Sequence, residues 1–137
     1  MSFLLDTNVV SELRKKDRMD RRVRAWFDEV AAEDLHLSVL VVGEIRRGIE
    51  RIRQKDVAQA AALERWLQRV TREHADRILN VNRRVADEWG RLSAQRSGSP
   101  VDLLLAATAR VHELVLVTRN TADIAWTGVP CVNPFAR

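Results

Sequence analysis

Short apolar runs alternate with longer helical segments along this chain, and that alternation restricts the fold more than any other feature. Ser2 to Leu5 reads as a strand, Asn8 to Lys15 as a short helix, and Arg21 to Ala32 as an amphipathic helix carrying Val23, Trp26, Phe27 and Val30. Leu35 to Ser38 is a second strand. Val39 to Ile52 sets Val41, Ile45, Ile49 and Ile52 on one helical face, and Ala58 to Val70 does the same with Leu63, Trp66, Leu67 and Val70. Ile78 to Val81 predicts a brief strand, and Val85, Trp89 and Leu92 mark another helix. Ser97-Gly98-Ser99-Pro100 breaks the pattern before a largely apolar helix from Asp102 to His112. Leu114 to Thr118 and Pro130 to Asn133 complete the strands. Strands separated by helices favour a parallel sheet, so the expected fold is α/β: four to five parallel strands flanked by about six helices.

At 137 residues, with no internal repeat and no Gly/Ser- or Pro-rich linker, the chain is expected to form one domain over 1–137. Apolar residues make up 46% and charged residues 31%, which excludes disorder as the main state. No apolar run approaches a membrane span. The N-terminal Phe3-Leu4-Leu5 is cut by Asp6 and is too short for a signal-peptide core. A lone cysteine, Cys131, rules out a disulfide framework and a cysteine-based zinc site. These features predict a cytoplasmic protein with no membrane partner.

Charge narrows the partner. Lys and Arg number 23 against 19 Asp and Glu, a formal net charge of +4, and 20 of the 23 are Arg. A basic, Arg-rich surface suits a polyanion, nucleic acid first, although a GC-rich genome would also enrich Arg. Aromatic content of 5%, with no Tyr, argues against a base-stacking platform.

Against this basic background the acidic residues stand out by position. Ligands of parallel α/β sheets bind beyond the carboxyl ends of the strands. Asp6 follows the first strand directly, in Leu4-Leu5-Asp6-Thr7-Asn8; Asp6 or Thr7 would equally serve as a helix N-cap. Glu44 lies one turn into the helix after the second strand, at the edge of its apolar stripe, where Arg47 is an alternative partner. Asp102 opens the apolar helix behind Ser99 and Pro100, a position that also complements the helix dipole. Asn120 and Asp123 follow Val115-Leu116-Val117-Thr118, where turn chemistry alone would favour them. Thr118 is placed to orient a neighbouring carboxylate or water.

Taken together these positions converge in space. Carboxylates packed together repel and stay ionised only with a cation. Oxygen ligands without Cys or clustered His select Mg²⁺, or Mn²⁺, over zinc. His36, His74 and His112 lack metal-ligand spacing and read as structural. Such a cation in a basic protein suits phosphodiester hydrolysis.

Four segments carry a wider resemblance: Leu4 to Glu12, Gly43 to Gly48, Asp102 to Ala109, and Leu116 to Asp123, with Gly128-Val129-Pro130 and Asn133-Pro134-Phe135 closing the chain. In order and spacing they resemble the PIN domain family, and within it the VapC/FitB-like toxins of type II toxin–antitoxin pairs. The resemblance implies a Mg²⁺- or Mn²⁺-dependent endoribonuclease. Asp6, Glu44 and Asp102 match the family's three acidic positions, and Asp123, with Asn120 nearby, the variable fourth. By similarity Asp6 and Asp102 are the most direct metal ligands, and Glu44 completes the site or binds a second ion or water. Thr7, Asn8, Thr118 and Asn120 support it. Leu105 stands where the family usually has Ile. The resemblance further implies an RNA substrate, with transfer RNA as the family-level expectation, and a homodimer or larger complex. It also implies a cognate VapB/FitA-like antitoxin whose tail enters the toxin groove and whose N-terminal part binds operator DNA.

Two other readings follow from the same residues. One is a non-catalytic nucleic-acid- or partner-binding module acting within a DNA-bound toxin–antitoxin complex; no helix-turn-helix or zinc signature supports direct DNA reading. The other is a small-substrate phosphatase, but the Asp-x-Asp element is missing because position 8 is Asn8. A basic cluster, Arg14, Lys15, Lys16, Arg18, Arg21, Arg22 and Arg24, is either an RNA-backbone surface or a solvated helix face diluted by Asp17, Asp20 and Asp28. The paired helices near 39–53 and 56–72 form either a protruding binding hairpin or core cover.

Overall fold

Phe3, Leu4 and Leu5 are all buried and form the central strand of the sheet, β1 (Phe3–Leu5). The computed structural model describes Met1–Ala136; Arg137, which the sequence assigns to the same domain, lies outside the described residues. On one side of β1 lies β2 (Leu35–Ser38), with Phe3 opposite Leu35, followed by β3 (Ile78–Leu79). On the other lies β4 (Val115–Val117), with Leu4 opposite Leu116, followed by β5 (Cys131–Val132). All pairings are parallel and the order is β3-β2-β1-β4-β5. The chain runs outward from β1 to β3, then returns to β4 and runs the other way. The carboxyl ends of β1 and β4 therefore flank a topological switch point, where such sheets open a crevice.

Helices α1 (Thr7–Val10), α2 (Arg21–Glu29), α3 (Val39–Arg53), α4 (Val57–Glu73), α5 (Arg83–Gln95), α6 (Pro100–Val111) and α7 (Thr121–Ile124) connect the strands. The expected α/β fold with five parallel strands is what the structure shows. Helix α6 is the core helix, with Leu103 and Leu105 to Ala109 all buried. Trp26 meets Phe3 edge-on at 5.1 Å between centroids, and the full burial of Leu4 and Leu5 contributes about 1.5–3 kcal/mol each.

The long pair α3 and α4 buries Ile45 and Ile49 against a layer containing Ala60, Trp66, Leu67 and Val70. Arg46 grips both carboxylate oxygens of Glu64 at 2.5 Å, and Arg53 joins Glu64 to Glu50. This bidentate clamp fixes the hairpin's register.

The predicted helix Asn8–Lys15 is where the structure departs most. Only Thr7–Val10 is α-helical, and Ser11–Arg18 continues as 3₁₀ turns broken at Lys16, whose φ is 52°. The run Arg14 to Arg18 offers no apolar side chain to bury, so nothing holds an α-helix there. Instead Glu12, 4% exposed, accepts a hydrogen bond from the Asp20 N–H at 2.9 Å and pairs with Lys15. Those bonds draw the chain back to start α2, where Asp20 caps the Arg22 and Val23 N–H groups. A smaller difference is that α2 stops at Glu29 because Val30 is extended, whereas α6 begins, as the sequence suggests, behind Ser99 at Pro100, a residue preorganised for a first turn.

Burial pushes the Glu12 carboxyl up, but the Asp20 N–H and the Lys15 ammonium outweigh it and hold it below the ordinary 4.5. A carboxyl lowered by folding stabilises the fold above its ordinary value, and that contribution is lost as pH falls through the folded value. Glu12→Gln should therefore cost about 1–2 kcal/mol near neutrality. Thermal melts of the two proteins should converge as the pH drops below 4.5; a gap that persists unchanged in acid would show that the ionised carboxylate is not responsible.

Candidate active site

Asp6 is the first residue beyond β1, and its backbone N–H donates to the Val117 carbonyl of β4 at 2.9 Å. That bond seats Asp6 at the switch point. Its side chain is 6% exposed and receives three hydrogen bonds: from the Thr7 N–H at 2.7 Å on Oδ1, and from the Thr118 hydroxyl at 2.7 Å and the Asn8 amide at 3.3 Å on Oδ2. Asp6 thus caps α1 while its carboxylate is oriented from two strands at once. The cap that the sequence offers for Asp6 is present, and it leaves the other carboxylate oxygen to Thr118 and Asn8. Thr118 also accepts from the Asn120 N–H at 3.1 Å, and the Asn8 side-chain Oδ1 accepts from the Arg119 N–H at 3.3 Å. The turn after β4 is therefore tied to the turn after β1.

Glu44 comes from α3, which starts immediately after β2 because Ser38 caps the Leu40 N–H. Its carboxylate accepts the Thr7 hydroxyl at 2.5 Å, with no pairing to Arg47. Asp102 lies in the first turn of α6, partly buried, and its carboxylate accepts no hydrogen bond among the described residues. Burial pushes its carboxyl above the ordinary aspartate range, and the charges of Asp6, Asp123 and Glu44 add to that shift. Asp123 lies in α7, exposed, and lines a cleft of about 290 Å³ together with Asp102. Asn120 enters only through its backbone, and its exposed side chain makes no contact with the carboxylates among the hydrogen bonds described.

The structure thus brings Asp6, Thr7, Asn8, Glu44 and Thr118 into one bonded set, with Asp102 and Asp123 within electrostatic reach. The histidines stand apart. His74 is buried against the Val70 carbonyl, and His36 and His112 line a hollow with Ser2, at the opposite end of the sheet from Asp6.

As a donor set these side chains suit a hard divalent cation: every candidate ligand is an oxygen, and Asp102 has oxygens that no donor satisfies. Among the described residues no three Asp, Glu, His or Cys side chains close on one point. The described side chains therefore form no closed protein cage, and any cation here would take one or two carboxylates with water in its remaining positions.

Two features of the site have no periodic signal in the sequence. Arg96 stacks over the Trp126 ring at 5.7 Å from its centroid, and both line the cleft beside Asp102 and Asp123. Ser11 and Arg14 share a second hollow with Thr7 and Glu44. Ser97, Gly98 and Ser99, legible in the sequence as a break and a helix start, supply part of the first cleft wall.

A family model described as the PIN domain matches residues 3–125. The chain belongs to the PIN domain family. This PIN domain is 34% identical to toxin FitB of Neisseria gonorrhoeae over 97% of this chain and 98% of that protein. It is 32% identical to the VapC ribonuclease Y4jK of Sinorhizobium fredii, over 97% of each. Its fold matches a chain of the FitAcB crystal structure from Neisseria gonorrhoeae with a TM-score of 0.88 and 30% identity, covering 98% of this chain and 99% of that one. The resemblance to the VapC/FitB-like group seen in the sequence motifs therefore extends to the whole PIN domain. Among the described residues no helix is long and apolar enough to cross a membrane.

Proposed function

We propose that this PIN domain is a Mg²⁺- or Mn²⁺-dependent endoribonuclease and the toxin of a type II, VapBC-like pair restrained by a cognate VapB/FitA-like antitoxin. The observation that carries the reading is the switch-point carboxylate Asp6, held by three donors and within electrostatic reach of Asp102, a partly buried carboxylate with none. Two such groups in a basic, Arg-rich domain suit a cation and a polyanionic substrate together. Likeness to a FitB toxin and to a VapC ribonuclease supports the same reaction class and the same kind of protein partner.

Asp6 and Asp102 would hold the cation most directly, with Glu44 and Asp123 completing the acidic pocket. When bound, such a cation would polarise a phosphoryl oxygen and stabilise the charge that develops on the phosphate during hydrolysis. The chain's own residues hold that pocket in shape. Thr118 and Asn8 fix Oδ2 of Asp6, the Thr7 N–H fixes Oδ1, and the Thr7 hydroxyl holds Glu44 beside them.

The test is cleavage of total RNA and of transfer RNA by antitoxin-free protein in Mg²⁺, in Mn²⁺ and in EDTA. Cutting is expected with a divalent cation and absent in EDTA. RNA binding that is equal in EDTA, with no cleavage in either metal, would favour the non-catalytic binding module.

A further inference from the structure

The basic cluster between Arg14 and Arg24 does not act as one surface. Lys15 is paired with Glu12, Arg22 lies 3.6 Å from Asp20, and Arg24 donates to the Lys16 carbonyl. That last bond, with the Met19 N–H on the same oxygen, holds the positive-φ turn at Lys16. A positive-φ turn at a non-glycine residue persists only where its surroundings hold it. Beyond it, Arg14 and Lys16 face α4 rather than their sequence neighbours. They line a groove of about 320 Å³ with Arg65 and Arg69, over a floor that includes Leu63 and Trp66.

All four cationic residues are exposed, and among the described residues their head groups have no carboxylate or hydrogen-bond partner. Two other basic side chains of this hairpin, Arg46 and Arg53, are instead consumed by Glu50 and Glu64. The groove is continuous with the acidic pocket, because Arg14, Leu63 and Trp66 also line the hollow that contains Thr7 and Glu44. Arg65 and Arg69, one turn apart, present their guanidinium forks along one helix face, a spacing that suits neighbouring phosphates on an extended strand. Trp66 is only 8% exposed, so it serves as a floor and not as a stacking platform.

We infer that this groove is the track that holds the RNA backbone on one side of the scissile phosphate, with Arg14, Lys16, Arg65 and Arg69 as phosphate-binding residues. It rests on the ribonuclease reading for the direction of the strand, which enters the carboxylate pocket past Thr7 and Glu44. Contacts of this kind give affinity and register without base specificity.

The test is binding of a labelled single-stranded RNA oligonucleotide to antitoxin-free protein in EDTA, across a salt series. The Arg65→Gln/Arg69→Gln pair is compared with a control pair, Arg83→Gln/Arg84→Gln, on α5, which does not line the groove. Both pairs change exposed residues, and thermal melts would verify their folding. Loss of two single-strand phosphate contacts should lower the salt slope by about 1.4 and weaken binding on the order of tenfold at 0.1 M salt. Arg65→Lys/Arg69→Lys should restore most of that slope. With Mg²⁺ present, the groove pair should raise KM and leave kcat unchanged.

Equal losses in the two pairs would reduce the effect to bulk charge and overturn the proposal. So would unmodified chain that fails to bind the oligonucleotide at low salt, or groove variants that bind RNA normally. If such variants instead lose the cognate antitoxin, the groove is a protein-docking surface. The two readings fail separately. Groove-dependent binding without any cleavage would remove the nuclease and keep the track, and unaltered cleavage by the groove variants would do the reverse.

Discussion

Asp6→Asn is expected to lower metal-dependent RNA cleavage by about 10³-fold or more, with little change in folding. Asn keeps the shape of the side chain and can still cap the Thr7 N–H, the bond that starts α1. On the other half of the group an amide N–H replaces Oδ2, and the Thr118 hydroxyl, now an acceptor toward residue 6, can receive it. The contact with the Asn8 amide is lost, so stability should change by no more than about 1 kcal/mol. What disappears is the negative charge at the switch point. Cleavage rates and thermal melts measured on the same preparation separate the two effects. A folded Asp6→Asn protein that cuts RNA at the original rate would show that Asp6 is not in the catalytic site. Relief of growth arrest on expression should accompany the loss of cleavage.

For Asp102→Asn the expected activity loss is about 10²–10³-fold, and the stability effect has the opposite sign. Asp102 is partly buried, accepts no hydrogen bond among the described residues, and faces the charges of Asp6, Asp123 and Glu44. Its position in the first turn of α6 gains from the helix dipole, about 0.3–1 kcal/mol. Burial, and then the charges of Asp6, Asp123 and Glu44, push the carboxyl upward, so they disfavour its ionised form in the folded chain. Removing the charge should therefore raise the melting temperature of the metal-free protein by about 1–3 °C. Added Mg²⁺ should stabilise the unmodified chain and leave Asp102→Asn unmoved. A substitution that lowers both activity and melting temperature would mean that Asp102 is a structural cap rather than a member of a strained acidic pocket.

Much of this site was legible in the residues. Asp6 follows a strand directly, Asp102 and Asp123 lie in the first turns of their helices and Glu44 one turn into α3, and such boundaries are written locally in the hydrophobic pattern. Thr118 was placed as an orienting residue because it ends a strand beside them, and its hydroxyl does reach Asp6. The Asn8–Lys15 helix was misplaced because its start is sound but its second half has nothing apolar to bury. There, a buried Glu12 bonded to Asp20, eight positions later, decided the path. The basic cluster, open in the sequence between an RNA-backbone surface and a solvated face, divides for a related reason. Glu12 and Asp20 take Lys15 and Arg22, while Arg14 and Lys16 line a groove with Arg65 and Arg69 of α4.

By itself, the sequence determined the α/β class, the parallel sheet, the buried faces of the helices and the acidic residues at the strand ends. Each depends on the spacing of apolar and polar residues over a few turns. The tertiary structure alone decided that β1 and β4 lie side by side at the switch point, so that Thr118 meets Asp6 across 112 positions of chain. It also decided that Arg14 and Lys16 face Arg65 and Arg69. Periodicity reports which face of an element is buried but not which element covers it; that pairing is set by the crossovers and by the packing of the whole core.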